Sequence, residues 1–230
     1  MATRVSFQGL RYILQRFRLF AVFGVCLFAA AGSWDWPRGW ASLAASFACE
    51  LVVLGTLALQ APETLNQRGT RHTGVKPFDR VFMVTWVTLS TGFAIVIGLD
   101  CVRYGWSGLP WHTFVVGIGL LAAGTVIGTW AMVENEHFEQ CVRIQSDRKH
   151  RVVTTGPYRI VRHPGYIAFI LSTLAGPLMF GSVWSFVPTG LLVILFVWRT
   201  SREDATLQKE LDGYTQYTEQ TSYRLVPFVW

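Results

Sequence analysis

Long apolar runs alternate with short polar segments along this chain. Four of the runs cover Leu19 to Trp34, Gly39 to Pro62, Val81 to Leu99 and Trp111 to Val133. A hydrocarbon core of about 30 Å takes roughly 20 apolar residues as a helix. Each run therefore predicts one transmembrane span, and the first is the shortest. A polar segment, Glu134 to His163, follows with little apolar periodicity. Gly165 to Trp198 then carries no charge at all. As one helix that run would be about 51 Å long, well beyond a single crossing. Gly176, Pro177, Gly181 and Pro188 offer break points. The run predicts a helical hairpin, spans five and six, with one tilted span as the alternative. From Arg199 the helix is expected to continue and then give way to a loop near Pro227.

A spanning segment must satisfy its own backbone hydrogen bonds, which only helices or closed barrels do. Barrel strands would alternate apolar and polar positions. These runs are continuously apolar, so the predicted fold is all-α, a polytopic transmembrane bundle of about six spans. Basic residues favour the cytoplasmic side. With six spans and the N-terminus inside, 18 of the 20 Lys and Arg fall on inner segments, leaving Arg38 and Arg103 outside. The predicted termini are therefore cytoplasmic. The polar segment and the tail come to the same side, where they can share a site. Trp34, Trp36, Trp40, Trp106 and Trp111 fall at outer span ends, as interfacial aromatics do.

Only 15% of the 230 residues are charged, against about 25% in an ordinary soluble domain. The chain is long enough for the spans and short loops but not for a separate soluble domain. The two regions expected are the N-terminal spans, 1–133, and a C-terminal core, 134–230. The net charge of +6 does not indicate nucleic acid, because the basic residues lie between spans rather than on one compact face. Cys26, Cys49, Cys101 and Cys141 lack metal-ligand or paired spacing and read as small apolar packing residues, with no metal site expected. No A-x-A-like site ends the first apolar run, so a cleavable signal peptide is not expected.

The chemistry concentrates in two places. Arg143-Ile144-Gln145, Thr154 to Arg159 and Val161 to Tyr166 make up the first. Gly156-Pro157 is a turn signal, and Pro164 biases His163 away from the α region. The loop thus turns just as the chain re-enters the membrane. The second is the tail, where Arg199 and Glu203 share a helical face four residues apart, followed by Tyr214, Tyr217 and Arg224 to Pro227.

Taken together, Gly156-Pro157-Tyr158, Arg162-His163-Pro164-Gly165-Tyr166, Glu203-Asp204, Tyr214, Tyr217, Arg224 and Pro227 resemble the isoprenylcysteine carboxyl methyltransferase family. The resemblance covers the C-terminal half, Glu134 to Trp230. It implies S-adenosylmethionine as methyl donor, bound without a Rossmann domain in a cytoplasm-facing pocket. It also implies an acceptor arriving from the bilayer and, by analogy with the family's small members, an inner bacterial membrane. The family often has two glutamates where this chain has Glu203-Asp204, which favours Glu203 as the functional carboxylate. Nothing in the sequence identifies the acceptor.

The residue types suit such a donor. Its carboxylate wants a guanidinium, its ribose and amino group want a carboxylate, and its adenine wants an aromatic or apolar slot. The expected catalytic residues are Arg162, Glu203 and Arg199. The expected cofactor-binding residues are Gln145, Gly156, Tyr158, His163, Pro164, Tyr166, Glu203 and Tyr217. Blander readings stand beside these: Arg162 and His163 as a basic flank of span five, Arg199 and Glu203 as a surface ion pair, Tyr214 and Tyr217 as interface anchors, and Arg143 and Gln145 as solvated loop residues. Glu50, an ionisable group within a span, is expected to be protonated or hydrogen-bonded in a structural role. His137 and His150 flank the polar loop, while His72 and His112 read as structural. Two rival functions remain at this stage. Membrane sterol reductases using a nicotinamide cofactor share the Arg-His-Pro-x-Tyr element, but typically continue with Gly-Glu where this chain has Ile167-Ala168. A non-enzymatic transporter or scaffold would place charges in several spans, and only Glu50 qualifies.

Overall fold

The computed structural model describes residues 4–230. Eight α-helices and no strands occur among them. Helix α1 (Phe7–Ala31) starts well before the apolar run, because the Ser6 side chain caps it by accepting from the Gly9 N–H. Arg11, Arg16 and Arg18 are therefore on the helix rather than in a preceding tail. Helices α2 (Pro37–Gln60), α3 (Pro62–Arg68) and α4 (Pro77–Gly98) each open on a proline, where the missing N–H costs nothing. A π-helical turn, Leu99–Arg103, extends α4. Helix α5 (Trp111–Glu134) ends at the polar segment.

The charge-free run does form two helices, α6 (Pro164–Phe180) and α7 (Phe186–Glu210). Of the four expected break points only Gly181 breaks the chain, in the left-handed conformation at φ 86°. Pro177 sits inside α6, and Pro188 lies in the first turn of α7. Helix α7 continues unbroken past Trp198, and a short α8 (Tyr214–Gln220) follows. Among the described residues four helices are long and apolar enough to cross a membrane: α1, α2, α4 with its π turn, and α5. Helix α6 is apolar but shorter. The protein is an integral membrane protein of all-helical fold.

Close approach of helices rests on small residues. A Cβ on Gly124 would meet the Ala168 carbonyl oxygen at 2.7 Å, and one on Gly117 the Ala175 carbonyl at 3.0 Å. Helices α5 and α6 therefore pack backbone to backbone, a device common in membranes. Gly98 does the same between α4 and α1, where a Cβ would lie 2.4 Å from the Leu27 carbonyl. Outward faces stay apolar, with Val84, Val115 and Ile194 exposed, as lipid contact requires. Trp34, Trp40, Trp106 and Trp111 are also exposed, but Trp36 packs into a core of Leu27, Phe28, Phe93 and Phe180. Trp36 is thus a core residue and not an interfacial one. All four cysteines are free and partly buried.

The polar segments gather at one end. Gln140 Nε2 donates to the Arg68 carbonyl and Lys76 N to the Val142 carbonyl. Arg162 N donates to Tyr223 O and His163 N to Arg224 O, so the tail pairs with the re-entry turn. At the opposite end Arg38 donates to the Leu178, Met179 and Leu109 carbonyls, and Arg103 to Ala29 O.

Candidate functional site

A cavity of about 530 Å³ opens at the polar end and runs into the helical bundle. It is of the size that holds one small-molecule ligand. Of the ten residues expected in the site, nine line it: Gln145, Tyr158, Arg162, His163, Pro164, Tyr166, Arg199, Glu203 and Tyr217. Gly156 does not. Its φ of 57° makes a left-handed turn, and a Cβ there would press on Glu134 at 2.9 Å. It shapes the loop from behind the wall.

Helix α7 splits its adjacent carboxylates, Glu203 and Asp204, between two tasks. Glu203 faces the cavity and accepts from the Tyr166 hydroxyl. Asp204, one residue on, is fully buried beneath. Its oxygens accept from Arg162 (2.9 and 3.1 Å), Arg224 (2.8 Å), Tyr214 (3.0 Å) and Gln208 (2.8 Å). Burial alone would raise the Asp204 carboxyl, but hydrogen bonds from His163, Arg162 and Arg224 hold it well below the usual range. It stays ionised where α7 has already left the apolar run.

Arg162 is correspondingly committed. It grips Asp204 with Nε and Nη2, and its Nη1 donates to the Thr221 and Ser222 carbonyls at 2.8 Å. Four of five N–H groups thus lock the tail onto the re-entry turn. His163 lies between the carboxylates, its Nε2 3.1 Å from Asp204 and its Nδ1 3.9 Å from Glu203. The bond to ionised Asp204 places an N–H on Nε2.

Arg199 is buried rather than a surface partner of Glu203. Its guanidinium lies 4.1 Å over the Phe82 ring, and Nη2 reaches Gln140 O at 2.8 Å. Its side chain lines the cavity, and its buried Nε has no hydrogen-bond partner among the described residues. His137 matches it across the loop. Its Nδ1 meets the Gln145 amide oxygen at 3.1 Å while its buried Nε2 makes no hydrogen bond. The His150 ring packs 4.6 Å away. Burial lowers both imidazoles, His150 to about 4, so both are neutral near pH 7.

Tyr158, Tyr214 and Tyr217 form the floor with Ala131 and Leu211. The Tyr217 hydroxyl donates to Tyr158 O at 2.7 Å. These tyrosines are 4–6% exposed, which rules out interfacial anchoring for Tyr214 and Tyr217. Arg143 and Gln145 are likewise buried, not solvated; Arg143 joins Glu139 and Asp147 in an ion-pair network. Glu50 is not isolated in its span: it accepts two hydrogen bonds of 2.7 Å from Arg16, and both line the deep end of the cavity.

Sequence reasoning missed Asp79. It sits in the first turn of α4, fully buried, with Oδ2 accepting from Val142 N and Oδ1 2.8 Å from Arg199 Nη2. No periodicity could have joined positions 120 residues apart.

The fold and site define a polytopic helical membrane protein with a cavity that opens at the polar end of the bundle. Residues 116–209 match the family described as isoprenylcysteine carboxyl methyltransferase (ICMT). Among curated relatives, the protein-S-isoprenylcysteine O-methyltransferase of Schizosaccharomyces pombe is 33% identical over 143 residues, 57% of this chain and 58% of the relative. A rice (Oryza sativa subsp. japonica) protein named "Probable protein-S-isoprenylcysteine O-methyltransferase" is 27% identical over 122 residues, 52% of this chain and 63% of the relative. Arabidopsis thaliana protein-S-isoprenylcysteine O-methyltransferase A is 28% identical over 127 residues, 53% of this chain and 64% of the relative. The chain thus spans about three fifths of the length of the relatives it matches.

Proposed function

We propose that this protein is a membrane methyltransferase that uses S-adenosylmethionine to methylate a lipophilic or small acceptor. The observation that carries the reading is the single cavity in which Glu203, Tyr166, His163 and Arg199 of the ICMT-family segment meet the apolar interior of the bundle. In the proposed topology α6 and α7 add two crossings to the four long helices. Both termini and the cavity mouth then face the cytoplasm, in an inner bacterial membrane. The eighteen basic residues of the inner segments support that orientation. The region from residue 134 onward would be the catalytic core.

The side chains present fit the donor. Three residues that line the cavity, Arg199, His137 and Trp86, each carry a buried nitrogen without a hydrogen-bond partner among the described residues. Such orphans are costly unless a ligand satisfies them. Arg199 would hold the donor's carboxylate and Glu203 its hydroxyl or amino groups. His137 and Gln145, with Tyr158 beside them, would face the adenine. When bound, the donor supplies an already activated methyl group on a sulfonium. The protein's task is to orient and to exclude water, and orientation alone can supply about 7–11 kcal/mol. A carboxylate acceptor needs no base. For an amine or thiol acceptor, Glu203 or His163 takes the proton.

Calorimetric titration of the purified protein tests the reading. Micromolar binding of S-adenosylhomocysteine, none of NADPH, and loss of binding in Glu203→Ala are expected. Binding of NADPH in its place would favour a reductase, and binding of neither would favour transport or scaffolding.

A further inference from the structure

The residues assigned so far come almost entirely from the ICMT-family segment, yet Arg199 is held by a helix outside it. Asp79 and Phe82 lie three residues apart on α4 and share a face. Asp79 Oδ1 stands 2.8 Å from Arg199 Nη2, an ion-pair contact rather than an aligned hydrogen bond. The Phe82 ring underlies the guanidinium at 4.1 Å. The Asp79 side chain is fully buried and that of Arg199 is 8% exposed, so little water competes for either. Gln140 O accepts from Nη2 at 2.8 Å. The guanidinium is thereby fixed on a side chain that lines the cavity, and its buried Nε has no hydrogen-bond partner among the described residues.

We infer that Asp79, with Phe82 beneath, is a positioning residue that aims the Arg199 guanidinium at the ligand's carboxylate. The N-terminal helices then complete the site rather than merely anchoring it. The inference rests on the methyltransferase reading, because it takes the ligand carboxylate to be that of the donor. Physically, an arginine held on one edge by a carboxylate and on one face by an aromatic ring loses little freedom on binding. Without Asp79 the same arginine must be ordered by the ligand, at the expense of affinity. A purely structural Asp79 would instead serve only to cap the Val142 N–H, to which Oδ2 accepts at 2.9 Å. The two roles separate cleanly, because an asparagine oxygen still accepts from Val142 while removing the charge.

The test is a double-mutant cycle read by S-adenosylhomocysteine titration in detergent, using the full chain as wild type, Asp79→Asn, Arg199→Gln and the double variant. Asp79→Asn should fold with unchanged helicity and bind at least about tenfold more weakly. In the Arg199→Gln background, itself weakened, Asp79→Asn should add less than about twofold, because coupled residues do not add. Wild-type affinity in Asp79→Asn, wild-type affinity in Arg199→Gln, or a full additive loss in the double variant would each overturn the inference. If Asp79→Asn fails to fold, Phe82→Leu replaces it in the same cycle, with the same non-additive pattern expected and additivity again overturning it. Failure of the wild type itself to bind S-adenosylhomocysteine is a separate outcome that removes the methyltransferase reading and this inference with it.

Discussion

Arg162 and Asp204 show how much a single buried pair can organise. Removing one partner of such a pair strands the other and costs about 3–5 kcal/mol. Arg162→Ala is therefore expected to lower the melting temperature in detergent markedly and to free the 221–224 segment to proteolysis. The sequence made Arg162 a catalytic candidate, yet four of its N–H groups close the tail against the re-entry turn. An unchanged melting temperature with lost turnover would restore a direct catalytic role. The histidines of the loop give a pH signature of their own. Burial, with the neighbouring His137 and arginine charges, takes His150 from the ordinary 6.5 to about 4. The fold thus favours its neutral form, so its contribution to stability is complete above pH 6.5 and is lost as pH falls through about 4. Hydrogen exchange in residues 137–150, corrected for intrinsic rate, should accelerate across that window. A flat profile would contradict the burial. Asp204 is held below this range, so the tail lock should outlast the loop as acid is added.

At the scale of elements, helix positions were largely legible and helix ends were not. Hydropathy marks the part of a helix that lies in lipid, whereas α1 begins at a Ser6 cap and α7 runs on through charged residues to Glu210. The helix pair was readable from the run's length and its Gly and Pro residues, but which of the four candidates breaks the chain was not. Pro177 is accommodated within α6, and Gly181 turns the chain because only it takes φ 86° there. The pairing of α5 with α6 depends on Gly124 facing Ala168 and Ser172. Gly124→Leu should force the helices apart, at about 1–3 kcal/mol for overpacking. Since α5 and α6 both line the cavity, S-adenosylhomocysteine affinity should fall along with the melting temperature. Retention of both would mean the helices separate without consequence.

At the scale of the molecule, the charge asymmetry and the fold coincide. Arg68, Lys76, Arg143, Arg162 and Arg199 meet at the cavity end, and Arg38 and Arg103 brace the other. Single cysteines introduced at Lys149 and Ser107, in a background with the native cysteines replaced, test the orientation. An impermeant maleimide applied to intact cells should label Ser107→Cys and spare Lys149→Cys until the membrane is opened. The reverse pattern would invert the topology and move the cavity mouth to the outer face.

Apolar run length and the placement of Lys and Arg determined a helical membrane bundle, because lipid leaves the backbone no other solution. The local motif from Gly156 to Tyr166 and the acidic pair on α7 were equally readable, since turn chemistry and helical spacing act over a few residues. The burial of Asp204, what Arg162 holds, and the reach of Asp79 across 120 residues to Arg199 were decided only by packing. Those choices depend on which buried charges find partners across helices, and no local pattern encodes that.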